Sequence, residues 1–418
     1  MRPITFLAAI IGNVLEYFDF LLFAHFSFIL TPLFFSNTNP TVTSIVTLGL
    51  FAVGFIVRPI GGLLFGTMGD RLGRKTSLTR SILWIALPTF CIGCMPTYET
   101  IGFFATFLVL MCRIMQGLSL GGEYANAGIF LMEHVDKNKR GFYSGLLVAS
   151  GSVGSLAGLG CVYLVLRSGT IEWGWRIPFL LSSILGMCAY QLRKYLSETP
   201  EFVEFSNISQ GHQNKKLSGW KEILSKKQAF LTTIGIGALV SVLVWIPVTY
   251  TNFYLTKTLG WSATEAMPMI VLALVNFIVS AIFMGYLGDK LGFSRMMQIA
   301  AFVTILSAYP LFYALVSGYV VFAQIGFTVL AAAFGATVHA AMVSLYPAEE
   351  RCRAISVGIS TGISLGGASP MIAASLVTLT GDELSPALYV IFLAMLGLVA
   401  MLYYKPYKMV NFTHEVEG

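Results

Sequence analysis

Apolar runs of membrane-spanning length alternate along this chain with short segments that hold most of its charge. A helical span of a bilayer needs about 20 apolar residues. By that measure the pattern predicts twelve spans, near 6–31, 43–68, 77–95, 100–131, 141–166, 174–195, 229–255, 264–287, 296–315, 318–345, 353–379 and 385–404. Several are interrupted by Gly or Pro, which membrane helices tolerate better than soluble ones do. Residues 1–31 lack a small-residue cleavage site, and their apolar stretch is too long for a leader, so they read as a retained first span. The longest polar segment, 196–228, falls between spans six and seven. The expected organisation is an N-terminal six-helix bundle (1–195), a cytoplasmic linker (196–228) and a C-terminal six-helix bundle (229–418). The predicted fold class is an all-α membrane protein of twelve transmembrane helices.

The two halves echo each other. GTMGDRLGRK (66–75) follows span two and GYLGDKLGFSR (285–295) follows span eight, an offset of 285−66 = 219 residues. KRGFYSG (139–145) follows span four and CRAISVG (352–358) follows span ten, an offset of 352−139 = 213. Two separate landmarks at nearly one offset predict a duplicated bundle, its halves related by an axis along the membrane normal.

Composition sharpens this picture. Of 418 residues, 56% are hydrophobic and only 11% charged, where soluble domains carry roughly 25% charged. With the N-terminus placed in the cytoplasm, 21 of the 26 Lys and Arg fall on inner segments and three on outer ones. The positive-inside rule therefore predicts a multi-pass protein of the cell inner membrane with both termini cytoplasmic. The net charge of +6 reflects that topology and is no signal for nucleic acid. A G-x-x-x-x-G-K-S/T loop is absent, which argues against ATP-driven transport. No nucleophile triad or metal constellation stands out, and Cys91 and Cys94 in CIGC read as small core residues. The chain is not expected to be an enzyme.

GDRLGRK, its weaker second copy, the 6+6 layout and the arginine-bearing fourth span resemble the major facilitator superfamily over the whole chain. GNVLEYFDF (12–20), RPIGGLLFGTMGDRLGRK (58–75), RIMQGLSLGGE (113–123), GWRIPF (174–179) and SETPEF (197–202) resemble its metabolite:proton symporter branch. That branch includes proline/betaine, dicarboxylate and shikimate carriers. Tyr17-Phe18 stands where the branch usually has Trp-Tyr, and Ser360-Thr361 where it usually has Tyr-Asn. Only a short tail follows the last span, so the long C-terminal extension of osmosensing betaine carriers is not expected.

Five ionisable residues lie within spans of the first half: Glu16, Asp19, Arg58, Arg113 and Glu123. Such residues cost roughly 2.5–3.5 kcal/mol each on insertion scales. At 1.5 Å per residue, Arg58 lies about 18 Å from the inner surface and Glu16 and Glu123 about 15 Å. The expected pairs are Asp19 with Arg113, and Glu16 and Glu123 with Arg58. Three carboxylates against two arginines leave one negative charge over, so one carboxyl is expected to hold a proton in part of the cycle. The resemblance also implies a proton-coupling role for Asp19 opposite Arg113, as in related sugar symporters. Tyr17, Gln116, Tyr124, Asn126, Tyr250, Asn252, Asn276 and His339 are candidate substrate contacts, because amides and phenols belong on interior faces of membrane helices. Asp70, Arg71, Arg74, Glu133, Arg140, Asp289 and Arg353 are candidate gating charges at inner helix ends. The glycine face of GSVGSLAG (151–158) reads as helix packing.

The expected function is alternating-access import of a small polar metabolite (amino acid, betaine or organic acid) with a proton. No cofactor beyond the proton is expected, and the partners are the small-molecule substrate and the lipid bilayer, for a monomer that binds no nucleic acid. An exporter or exchanger on the same fold is the main alternative. A membrane sensor is a weaker one, because it would want a signalling domain.

Overall fold

The computed structural model describes residues 3–35, 53–211 and 226–407, which are helical almost throughout. Six long helices among the described residues build the first half: α1 (Pro3–His25), α2 (Arg58–Leu72), α3 (Arg74–Cys94), α4 (Phe103–His134), α5 (Arg140–Ser168) and α6 (Arg176–Lys194). A linker helix, Pro200–Gly211, begins on a proline, whose missing N–H costs nothing in the first turn. The second half comprises α7 (Lys227–Trp245), α8 (Ala263–Leu291), α9 (Phe293–Val316), α10 (Val320–Gly335), α11 (Arg351–Gly367) and α12 (Ser385–Leu402).

Ten helical segments among the described residues are long and apolar enough to cross a membrane. α2 and α6 are the other two of the twelve. The first part of the second predicted span, 43–52 of 43–68, lies outside the described residues. α6 is diluted by Arg176, Ser182, Ser183, Gln191, Arg193 and Lys194. Two of these polar groups, Ser182 and Arg193, meet partners inside the protein rather than lipid. Lipid-facing positions elsewhere are plainly apolar, as at Phe103, Leu164, Val279 and Leu306.

Within the first half α1 packs on α5, α3 on α6, and α4 on α2 and α3. Within the second, α7 packs on α11 and α12, α9 on α10 and α12, and α8 on α10. The halves meet along two seams, α5 against α8 and α2 against α11. These are one pairing used twice, with the halves exchanging roles. The turns after α2 and α8 match too. Gly73 has φ +99° and Gly292 has φ +91°, a left-handed conformation that glycine adopts without strain. They lie 292−73 = 219 residues apart, the offset of the sequence repeat.

Three helices break near the middle of the bundle. α7 continues through π-helical turns at Ile246–Tyr250 and Tyr254–Thr258. Pro247 cannot donate to the helix ladder there. Its carbonyl instead accepts a hydrogen bond from Gln324 Nε2 on α10 at 2.7 Å. α10 stops at Gly335 and resumes over Val338–Val343. α11 resumes over Ser369–Thr380, with Pro370 in its first turn.

Candidate functional site

The buried charges of the first half form two groups, and neither has the expected pairing. Asp19, 2% exposed, accepts hydrogen bonds from Ser182 on α6 and from Thr89 Oγ1 on α3 at 2.9 Å. Gln116 Nε2 donates to Thr89 Oγ1 at 2.9 Å, and Arg113 Nη1 donates to Gln116 Oε1 at 3.0 Å. Arg113 therefore reaches Asp19 through Gln116 and Thr89, and no ion pair within 4.0 Å joins the two. Gln116 sits three residues along α4 from Arg113, on the same helix face, and intercepts the guanidinium. The guanidinium rests over the rings of Phe23 and Phe20, 4.3 and 5.1 Å from their centroids.

Glu123 pairs with Arg193 and not with Arg58. Arg193 Nη2 and Nη1 donate to its two carboxylate oxygens at 2.5 and 3.0 Å, and Ser81 donates as well. Arg193 is fully buried and also donates to the carbonyls of Ala8 and Leu78 at 3.0 and 2.6 Å. This pair explains a glycine in the first motif. A Cβ on Gly12 would overlap both Arg193 Nη2 and Glu123 Oε1. The neighbouring Asn13 Nδ2 donates to Leu147 O at 2.9 Å and Ser150 Oγ at 2.8 Å, fastening α1 to α5. In the sequence Arg193 looked like one more inner-flank cation; only its burial separates it from Lys194.

Glu16 and Arg58 are left over. Glu16 is 2% exposed, makes no ion pair within 4.0 Å among the described residues, and its Oε2 has no hydrogen-bond partner. Arg58 also makes no ion pair there, and its Nε has no partner. Its guanidinium lies over Phe55 and Phe20, 4.5 and 5.2 Å from the ring centroids. Glu16 stands within electrostatic range of Glu123, Arg58 and Arg193.

A cavity of about 50 Å³ lies between the halves. Tyr17, Tyr124, Ser152, Trp245, Phe277 and Thr328 are among its walls, and no charged side chain lines it. Of the candidate substrate contacts, Tyr17 and Tyr124 therefore face the cavity. Asn276 stands behind it, donating to Thr328 Oγ1 at 2.5 Å. His339 packs on Tyr124, with ring centroids 4.6 Å apart, and its Nε2 has no partner. Gly128 makes room for that imidazole. Gln116 serves the Asp19 relay, and Asn126 ties helices together through Ser77 Oγ at 2.8 Å. Tyr250 stacks among Tyr254 and Phe312, and neither it nor Asn252 lines the cavity. Ser152 and Ser155, inside the motif read as packing, line it. Gly151 and Gly154 of that motif do pack, against Tyr17 and the backbone of α1.

The charged end of the bundle is latched shut. Asp70 accepts the backbone N–H groups of Cys352 and Arg353 at 2.9 and 3.0 Å, at the start of α11. Asp289 does the same for Gly141 and Phe142 at the start of α5, at 2.6 and 2.8 Å. Each aspartate of the repeated motif thus meets the free N–H groups and positive end of a helix in the other half. Arg74 Nε contacts Glu133 at 3.2 Å, and Arg351 Nη1 contacts Glu133 at 2.6 Å and Glu201 at 2.5 Å. Glu201, on the linker helix, also contacts Arg140 at 3.1 Å. Burial alone would raise the Glu201 carboxyl, but Arg351 and then Arg140 outweigh it and hold it below the usual range. Arg71 is exposed, outside this network.

Two pseudo-equivalent seams, mid-membrane charges buried in the first half and a central cavity under a closed gate define a secondary transporter fold. The Major Facilitator Superfamily profile matches residues 9–335 and 248–412, and the chain belongs to that family. It is 33% identical over 405 residues to a proline/betaine transporter of Salmonella typhimurium, covering 94% of this chain and 81% of the relative. It is 32% identical over 403 residues to an alpha-ketoglutarate permease of Escherichia coli, covering 94% and 91%. Among solved structures, a proton:xylose symporter bound to 6-bromo-6-deoxy-D-glucose superposes with a TM-score of 0.74 at 18% identity, covering 96% and 94%. The protein is a multi-pass membrane transporter of a small metabolite and not an enzyme.

Proposed function

We propose that the protein imports a small zwitterion, an amino acid or betaine, together with a proton, by alternating access. The observation that carries the coupling is the pair of carboxylates buried on α1, Glu16 and Asp19, neither of which makes an ion pair within 4.0 Å among the described residues. Ionisable groups are expensive in a membrane, and proton relays are among the uses that retain them. The aromatic wall of Tyr17, Tyr124 and Trp245 supports the choice of substrate, since ring faces attract an ammonium group. The proline/betaine relative supports it further. An organic acid is the second reading, favoured by the unpaired Arg58 and by the alpha-ketoglutarate relative. In this proposal the monomer sits in the cell inner membrane with the latched end and both termini cytoplasmic. The proton is its coupling ion, and it needs no cofactor. Each six-helix half, 1–195 and 229–418, then rocks as a unit about the cavity.

Substrate-driven acidification tests the proposal. The protein is reconstituted in liposomes holding a pH-sensitive dye, and L-proline, glycine betaine and 2-oxoglutarate are added separately. Acidification by either zwitterion is the expected result. Counterflow of a zwitterion without acidification would overturn symport, and acidification by 2-oxoglutarate alone would select the organic acid.

A further inference from the structure

We propose that Glu16, rather than Asp19, carries the coupled proton, and that Arg58 links that proton to the substrate. The inference rests on the symport reading above and names the residues that perform it. The two carboxylates of α1 differ in their partners. Asp19 has two hydroxyl donors, from Thr89 and Ser182, so its charged form is supplied with hydrogen bonds. Glu123 is committed to Arg193 and Ser81. Glu16 is as deeply buried, yet Oε2 has no donor and, among the described residues, no cation lies within 4.0 Å. A buried charge with no contact partner is costly to keep, so Glu16 is the carboxylate that a proton neutralises most readily once its one long-range counter-ion is drawn away.

The groups around Glu16 set what can move that proton. They are Glu123 and Tyr124 on α4, Arg58 on α2, Arg193 on α6 and, beside it, Tyr17. Arg193 is occupied by Glu123, which leaves Arg58 as the uncommitted cation. Arg58 lies one layer behind the cavity wall. Its rings, Phe20 and Phe55, both pack on Trp245, with centroids 6.4 and 5.7 Å apart. Trp245 and Tyr17 face the cavity.

The charge balance then gives obligatory coupling. In the empty site Glu16 is ionised and Arg58 is its long-range counter-ion, so the pair is neutral. A substrate carboxylate that displaces the aromatic layer and takes Arg58 leaves Glu16 without a counter-ion. Glu16 binds one proton, so Glu16, Arg58 and the substrate carboxylate are together neutral, and a zwitterion's ammonium leaves the loaded site with one positive charge. On release of the substrate, Arg58 returns to Glu16 and the proton leaves to the same side. One proton accompanies each carboxylate, and with a zwitterion the loaded state carries one positive charge through the bilayer.

Two measurements test this. In the liposome assay Glu16→Gln is expected to abolish substrate-driven acidification while labelled proline still exchanges. Wild-type acidification in Glu16→Gln, with loss in Asp19→Asn, would overturn the inference and leave the symport reading standing. No acidification in the wild type with any of the three probes would overturn both. The second measurement uses the substrate-free wild-type protein and guards against a misfolded variant. N,N′-dicyclohexylcarbodiimide couples to protonated carboxyls in apolar surroundings, and peptide mass spectrometry locates the adduct. An adduct on Glu16 that grows as pH falls is expected. Labelling of Asp19 with none on Glu16 would overturn the assignment.

Discussion

Arg193, at the end of α6, donates to both carboxylate oxygens of Glu123 in the middle of α4, and each side chain is fully buried. Removing one partner of such a pair strands a charge, which costs about 3–5 kcal/mol. Arg193→Met is expected to lower the melting temperature in detergent sharply. The double variant Arg193→Met/Glu123→Leu should recover much of the loss, because neither charge remains. Equal melting of Arg193→Met and wild type would rule the pair out as a structural element.

Gly12 lies against this pair. Gly12→Ala places a methyl group where Arg193 Nη2 and Glu123 Oε1 now sit. Overpacking of this kind costs about 1–3 kcal/mol. Gly160→Ala is the matched control, since a Cβ there meets nothing within 4 Å. Thermal unfolding of the two variants side by side should separate them, and equal stability would contradict the geometry.

The latch at Asp70 has a built-in reporter. Cys352 is fully buried, and its backbone N–H donates to Asp70. Asp70→Ala removes the acceptor for two N–H groups at the start of α11 and should let the charged end open. Maleimide labelling of Cys352 should then rise above the wild-type level. Asp289→Ala, acting at the equivalent seam, is expected to raise it as well. Unchanged labelling in both variants would show that the aspartates do not hold the gate closed.

Glu201 gives the latch a pH dependence of known sign. Its carboxyl is held below its ordinary value of 4.5 by Arg351 and Arg140. A depressed carboxylate adds stability that is complete above the unfolded value and lost as pH falls through the folded one. Wild-type melting temperature should therefore hold above about pH 5 and decline below pH 4.5. Glu201→Gln should start lower and decline less over the same window. Parallel curves for the two proteins would refute this contribution.

The spans, the 219-residue repeat and the rarity of intramembrane charge were legible in the chain because each depends on local composition. A bilayer selects runs of apolar residues, and glycine is needed wherever a turn requires positive φ, as at Gly73 and Gly292. The aspartates of the repeated motif could be picked out in the same way. Their acceptance of N–H groups from the opposite half could not, because that contact joins residues 282 and 283 positions apart for Asp70.

Partner choice inside the bundle was decided by tertiary structure alone. Helical rise places Glu123, Glu16 and Arg58 in one layer, but it carries no information about which faces of four helices turn toward each other. Packing turned α6 so that Arg193 reached Glu123, and α4 so that Gln116 stood between Arg113 and Asp19. The sequence by itself determined that this chain spans a membrane, in two similar halves, with charge in the first. Only the fold determined that, among the described residues, Glu16 and Arg58 are buried without an ion pair within 4.0 Å, because in a low-dielectric interior the closest geometry takes the pairing.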